Sequence, residues 1–115
     1  MRKLVKVKSS YLGAHHYPNA PFEVKYLKLP HYHNFTYIIQ VEVEHSNREI
    51  EYIMFKDVCE SFIKSYWDQF KENCSTDSCE HMAEWIYNMM RDDGYNIYSV
   101  EVCEDDKFSS EVRRR

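Results

Sequence analysis

At 115 residues the chain has the length of one domain, and a domain of this size buries about two-thirds of its unfolded surface, enough for a core without staples. With 43% hydrophobic and 16% aromatic residues but only two Gly and three Pro, collagen-like, low-complexity and disordered character are excluded for the body of the chain. Fifteen Lys and Arg against nineteen Asp and Glu leave a net charge of -4, a field that repels nucleic acid and gives no reason to expect a membrane partner.

The chain begins Met1-Arg-Lys-Leu-Val-Lys-Val-Lys8. Its lysines interleave with the apolar residues, so no signal-peptide core follows, and no stretch approaches the roughly 18 apolar residues of a membrane span. A soluble, cytoplasmic protein is expected. The same alternation puts Val5, Val7 and Tyr11 on one face and Lys6, Lys8 and Ser10 on the other, which predicts a half-buried strand over residues 3 to 12. Residues 16 to 30 carry Pro18, Asn19, Pro21 and Pro30 and read as a long ordered loop. From Phe35 to Glu44 the alternation is cleaner, with Phe35, Tyr37, Ile39, Val41 and Val43 sharing one parity.

Asp57-Val-Cys-Glu60 has the form of a capping box and predicts a helix start. Val58, Cys59, Phe62, Ile63, Tyr66, Trp67 and Phe70 then draw one apolar stripe. A second box, Asp77-Ser-Cys-Glu80, precedes Met82, Ala83, Ile86, Met89 and Met90, and Gly94 supplies a C-terminal cap. Asn96 to Cys103 alternates again as a last strand, before a charged tail expected to fray. The four cysteines, Cys59, Cys74, Cys79 and Cys103, are too few and too unevenly placed for a secreted disulfide framework and read as thiols. Strand, strand, helix, helix, strand implies an α+β architecture, an antiparallel sheet with both helices on one face. Its open edges invite closure by oligomerisation.

His31 and His33 share the parity of Phe35, Tyr37 and Ile39, so both rings point to one face. His15 continues the odd parity of the first strand, and pairing of the two strands brings it beside His31 and His33. Three imidazoles with a vacant fourth position are the donor set of a catalytic zinc site. The plainer alternative is three loop histidines near a turn, since His-x-His alone is a weak signal. His16 has the wrong parity and His45 lies among polar turn residues; neither is assigned a role.

Four motifs in order carry a family resemblance. Tyr11-Leu-Gly-Ala-His15 is similar to F-x-A-A-H, His31-Tyr-His33-Asn-Phe35 to H-G-H-x-[FY], Asp77-Ser-Cys-Glu80 with Ala83-Glu-Trp85-Ile86 to P-T-x-E-x-x-A-x-W-[IL], and Val100-Glu-Val-Cys-Glu104 to V-x-V-x-E-T. Over residues 3 to 105 the chain thus resembles the 6-pyruvoyl- and 6-carboxy-tetrahydropterin synthases. The resemblance implies the T-fold, a four-stranded antiparallel sheet with two helices that forms trimeric barrels, stacked as hexamers with active sites between subunits. It implies a single domain over residues 1–105, with 106–115 as a charged tail. It also implies zinc (Zn2+) on His15, His31 and His33, and Glu104 as the pterin anchor. A carboxylate accepts both N–H donors of an aminopyrimidine edge in a bidentate pair.

The resemblance breaks at the proton-transfer positions. The cysteine that family enzymes use as base falls at Leu27, and its histidine partner, in D-H-x-x-L-N, falls at Gln69; Asp68 and Asn73 agree, which carries a catalytic role over to Asp68. Neither leucine nor glutamine can move a proton. Tyr26, Lys28, Cys74 and Cys79 are the candidates to replace the base. Two expectations follow. One is a zinc-dependent lyase-type enzyme of pterin or 7-deazapurine (queuosine) biosynthesis, acting on a dihydropterin side chain with an altered proton-transfer apparatus. The other is a catalytically silent homo-oligomeric module that sequesters or senses a purine-like or nucleotide ligand at its subunit interfaces.

Overall fold

A computed structural model describes residues 1–115. Strand β1 (Lys3–His15) pairs with β2 (His31–Val43) in one antiparallel register that runs from Lys3 opposite Val43 to His15 opposite His31. Helices α1 (Tyr52–Asp68) and α2 (Cys79–Asp92) follow, then β3 (Ile97–Glu104) and β4 (Phe108–Arg113). The sheet has the order β1-β2-β3-β4, entirely antiparallel. Helix α1 packs on β1, and α2 on β3 and β4, so the expected α+β layering holds.

The alternation dictates which side of the sheet meets the helices. Phe35, Tyr37, Ile39 and Val41 of β2 are at most 1% exposed, and Val100 and Val102 of β3 join them. Across the register Ile39 opposes Val7 and Val100, and Tyr37 opposes Ser9 and Val102. The helices return Phe55, Cys59, Ile63, Tyr66 and Trp67 from α1 and Met82, Ala83, Ile86 and Met90 from α2, all buried. The predicted apolar stripes are thus core, apart from Met89, which stays exposed.

Three boundaries differ from the sequence reading. Both long strands extend past their apolar alternation, so His31 and His33 lie within β2 rather than upstream of it. Pairing with β1 carries the strand back as far as His31, opposite His15. Helix α1 begins at Tyr52, because the Glu51 carboxylate accepts from the N–H groups of Ile53 and Met54 and caps the first turn. Asp57 is an exposed residue inside that helix. Likewise Ser78, one residue beyond Asp77, caps α2 by accepting from His81 N–H at 3.2 Å. Gly94, at φ +98°, ends α2 as expected, with its N–H bonded to Arg91 and that of Tyr95 to Met90.

The fourth correction is larger. Part of the segment expected as a frayed charged tail is β4, paired with β3 from Glu104 opposite Phe108 to Ser99 opposite Arg113. Its few apolar residues hid the alternation: Val112 packs against the core while Glu111 and Arg113 face solvent. A tight turn joins the two strands, with Lys107 N–H bonded to Glu104 O at 2.9 Å and both Asp105 and Asp106 at positive φ. Those dihedrals are the signature of a type I′ hairpin. Within the loop after β1, Phe22–Lys28 winds into a 3-10 segment, tied down by Tyr17 N–H donating to Leu27 O at 2.7 Å.

One close approach sets the geometry near the end of the hairpin. The Trp67 ring lies flat against Tyr11, with centroids 5.2 Å apart and planes within 5°. Its indole N–H donates to Tyr37 OH at 2.9 Å. A Cβ on Gly13 would stand 2.5 Å from that ring. Only glycine admits the tryptophan here. Gly13→Ala should therefore destabilise the protein by about 1–3 kcal/mol through overpacking, read as a lower denaturant midpoint with an unchanged m-value.

Candidate metal centre

Beyond Tyr37 and Phe35 the core face of the sheet turns polar. Gly13 opposes His33, His15 opposes His31, and Phe35 opposes Glu104. The period-2 rule therefore delivers three imidazoles and one carboxylate to the helix side of the sheet, just past its last apolar layer. One ring nitrogen from each of His15, His31 and His33 lies within 4.8 Å of the other two. The ring centroids are 4.7 to 5.2 Å apart, and each pair is edge-on. His15 is 8% exposed, whereas His31 and His33 are half-buried.

The far side of each ring is already engaged. His15 Nδ1 lies 2.9 Å from the Asp77 carbonyl, His31 Nδ1 2.9 Å from the Leu29 carbonyl, and His33 Nδ1 2.6 Å from an Asp105 carboxylate oxygen. Every partner is an acceptor, so each Nδ1 carries the proton and donates. The Nε2 lone pairs are left for a shared ligand. Metal-ligating histidines are held by this type of outer-shell bond, so the residues present fit a metal ion. Three nitrogen donors suit zinc or a neighbouring transition metal better than magnesium or calcium.

Glu104 stands beside the cluster, its carboxylate oxygens 3.4 Å from His15 Nε2 and 3.8 Å from His33 Nε2. Cys79, the first residue of α2, donates its thiol to the same carboxylate at 3.3 Å. Burial, reinforced by Glu104, pushes that thiol well above its ordinary pKa. Cys79 is thus a hydrogen-bond donor to Glu104 and is poorly suited to act as a base. Behind His15, the buried Tyr66 hydroxyl donates to Asp77 Oδ2 at 2.7 Å and meets Ser75 Oγ at 2.9 Å. Ser75 in turn forms a bridge to His15 and accepts from His16 N–H.

The other singled-out residues fall elsewhere. The Asp68 carboxylate pairs with Lys64 at 2.8 Å and Lys71 at 3.7 Å, and the Lys64 hydrogen bond holds its pKa low. Gln69 ends α1 and donates to Tyr66 O. Leu27 lies in the 3-10 segment. His16 is half-buried, and its Nδ1 is buried without a partner. His45 lies 3.7 Å from Glu49. All four cysteines are unpaired. The sequence reading missed Asp77, Leu29 and Asp105. Two of these act through backbone carbonyls, which leave no mark in the residue type. Asp105 lies one residue past the last motif that carries the resemblance, Val100–Glu104.

No family model and no curated protein matches the chain. Among solved structures it is similar over 100% of its length to an uncharacterized protein from Wolinella succinogenes, with a TM-score of 0.71, 12% identity and 99% of that chain covered. It is similar over the same span to 6-pyruvoyl tetrahydropterin synthase of Caenorhabditis elegans, with a TM-score of 0.67, 12% identity and 97% of that chain covered. The chain therefore has the tetrahydropterin-synthase-like fold.

Burial holds the His15 pKa below its ordinary 6.5. The unfolded chain then binds more protons than the native one as pH falls through about 6.5. Stability is present above that pH and is lost below it. Thermal melts of metal-free protein between about pH 7.5 and 5.5 should show a falling midpoint, with a shallower slope in His15→Asn.

Proposed function

We propose that His15, His31 and His33 hold one zinc ion and that the chain acts on the side chain of a pterin-like heterocycle, in pterin or 7-deazapurine metabolism. The observation that carries this reading is the set of three converging Nε2 atoms, each freed by an acceptor on its Nδ1, on a fold like that of a tetrahydropterin synthase. Zinc bound there would polarise an oxygen of the substrate side chain. Glu104 is the residue to grip the heterocycle. Its carboxylate is ordered by the Cys79 thiol, and two parallel N–H donors on a bound ring would pair with its oxygens.

A second reading is favoured by specific residues. Leu27 and Gln69 stand where family enzymes resembling this chain keep their proton-moving pair, Cys79 is held protonated, and Asp68 is taken up by two lysines. On those grounds the same centre serves as a heterocycle-binding module without turnover. Both readings place the chain in a homo-oligomer, a trimer or hexamer. Strands β1 and β4 are open edges of the sheet, and Leu12, Tyr26, Leu29 and Tyr32 expose apolar surface around the far end of the hairpin. No helix is long and apolar enough to cross a membrane.

Protein purified without added zinc should carry about one zinc per chain by elemental analysis, and His31→Ala should lose it; a metal-free wild type overturns the zinc reading. Zinc-loaded protein incubated with 7,8-dihydroneopterin triphosphate should release a tetrahydropterin product. Retention of the compound without product selects the binding module. In either case Glu104→Gln should weaken heterocycle binding roughly 10- to 150-fold, the equivalent of about 1.5–3 kcal/mol for a charge-assisted bond. Sedimentation should give a mass of three or six chains.

A further inference from the structure

The turn that joins β3 to β4 has a dihedral pattern that glycine or asparagine adopts most readily, yet both of its central residues are aspartates, Asp105 at φ +50° and Asp106 at φ +58°. Asp106 has no side-chain bond that accounts for its place. Asp105 has three contacts, all with β2. Its Oδ1 accepts from Asn34 N–H at 2.8 Å, its own N–H donates to Asn34 O at 3.0 Å, and its Oδ2 lies 2.6 Å from His33 Nδ1. The two main-chain bonds fix where the carboxylate stands, and the left-handed backbone aims it at the ring. In the V-x-V-x-E-T motif that Val100–Glu104 resembles, the position of Asp105 is a threonine, which carries no carboxylate.

We propose that Asp105 is a positioning residue for the metal centre: it fixes the His33 ring with the proton on Nδ1 and so presents a bare Nε2 to the ion. This rests on the reading of the three histidines as a metal site. The other two ligands have neutral main-chain carbonyls in the corresponding place, so His33 is the one ligand whose support is charged. A carboxylate partner raises the basicity of the ligating nitrogen and orients the ring. The β3–β4 turn thus serves the centre twice, with Glu104 beside the Nε2 side of His33 and Asp105 on the Nδ1 side.

Two variants separate this role from a merely structural one. Asp105→Gly keeps the left-handed turn and removes the carboxylate. Asp105→Asn keeps the turn too, and when its amide oxygen accepts from Asn34 N–H its NH2 group faces the ring. Two readouts are taken: the His33 tautomer of metal-free protein by long-range nitrogen-15 NMR, and zinc affinity by chelator competition. The wild type should show Nδ1–H at His33, both variants should shift toward Nε2–H, and zinc affinity should fall roughly 10- to 100-fold while the melt stays cooperative. An unchanged tautomer in both variants, or Nε2–H in the wild type, overturns the proposal, as does unchanged zinc affinity. Should the wild type bind no zinc while the tautomer still follows residue 105, the hold on the ring is supported and the metal reading alone fails.

Discussion

The pairing of β1 with β2 is the constraint on which the rest of the molecule depends. Side chains alternate between faces at every residue, so a slip of one position would send His15 to the opposite side from His31 and His33. What prevents the slip lies outside the site. Phe35, Tyr37, Ile39 and Val41 are buried against the helices, and each would be expelled together by the same shift. At Gly13 the missing side chain admits Trp67, and any other residue brought to that position would collide with the indole. The apolar core therefore sets the coordinates of the polar cluster.

The helices complete what the register begins. Helix α2 brings Cys79 onto Glu104, and the segment before it brings the Asp77 carbonyl onto His15, with Tyr66 of α1 bracing Asp77 from behind. A buried thiol next to a carboxylate keeps its proton, so the same contact that orders Glu104 removes Cys79 as a source of base chemistry. Leu27, whose side chain cannot move a proton, lies on the 3-10 segment.

Much of this was legible in the residues. The alternation from Phe35 to Val43 and the stripe from Val58 to Phe70 reflect burial directly, and burial determines where apolar residues can stand. The convergence of His15 with His31 and His33 followed from parity together with the expected pairing of the two strands. What escaped notice had a different physical origin. Strand β4 is mostly polar because one of its faces is solvated, so Glu111 and Arg113 resembled a tail. Helix α1 starts early because Glu51 caps with a longer side chain than the usual Asp or Ser. Carbonyl acceptors belong to every residue type, and only coordinates reveal which ones a ring has found.

That last point bears on how the centre tolerates genetic drift. Two of the three braces behind the imidazoles are peptide oxygens, which no codon change at positions 29 or 77 can delete. The third is a side chain, so inheritance of an intact cluster is exposed to single-nucleotide erosion at position 105 in a way it is not at the other two. Substitution at Leu29 leaves the acceptor of the His31 ring in place, whereas most substitutions at Asp105 remove that of the His33 ring.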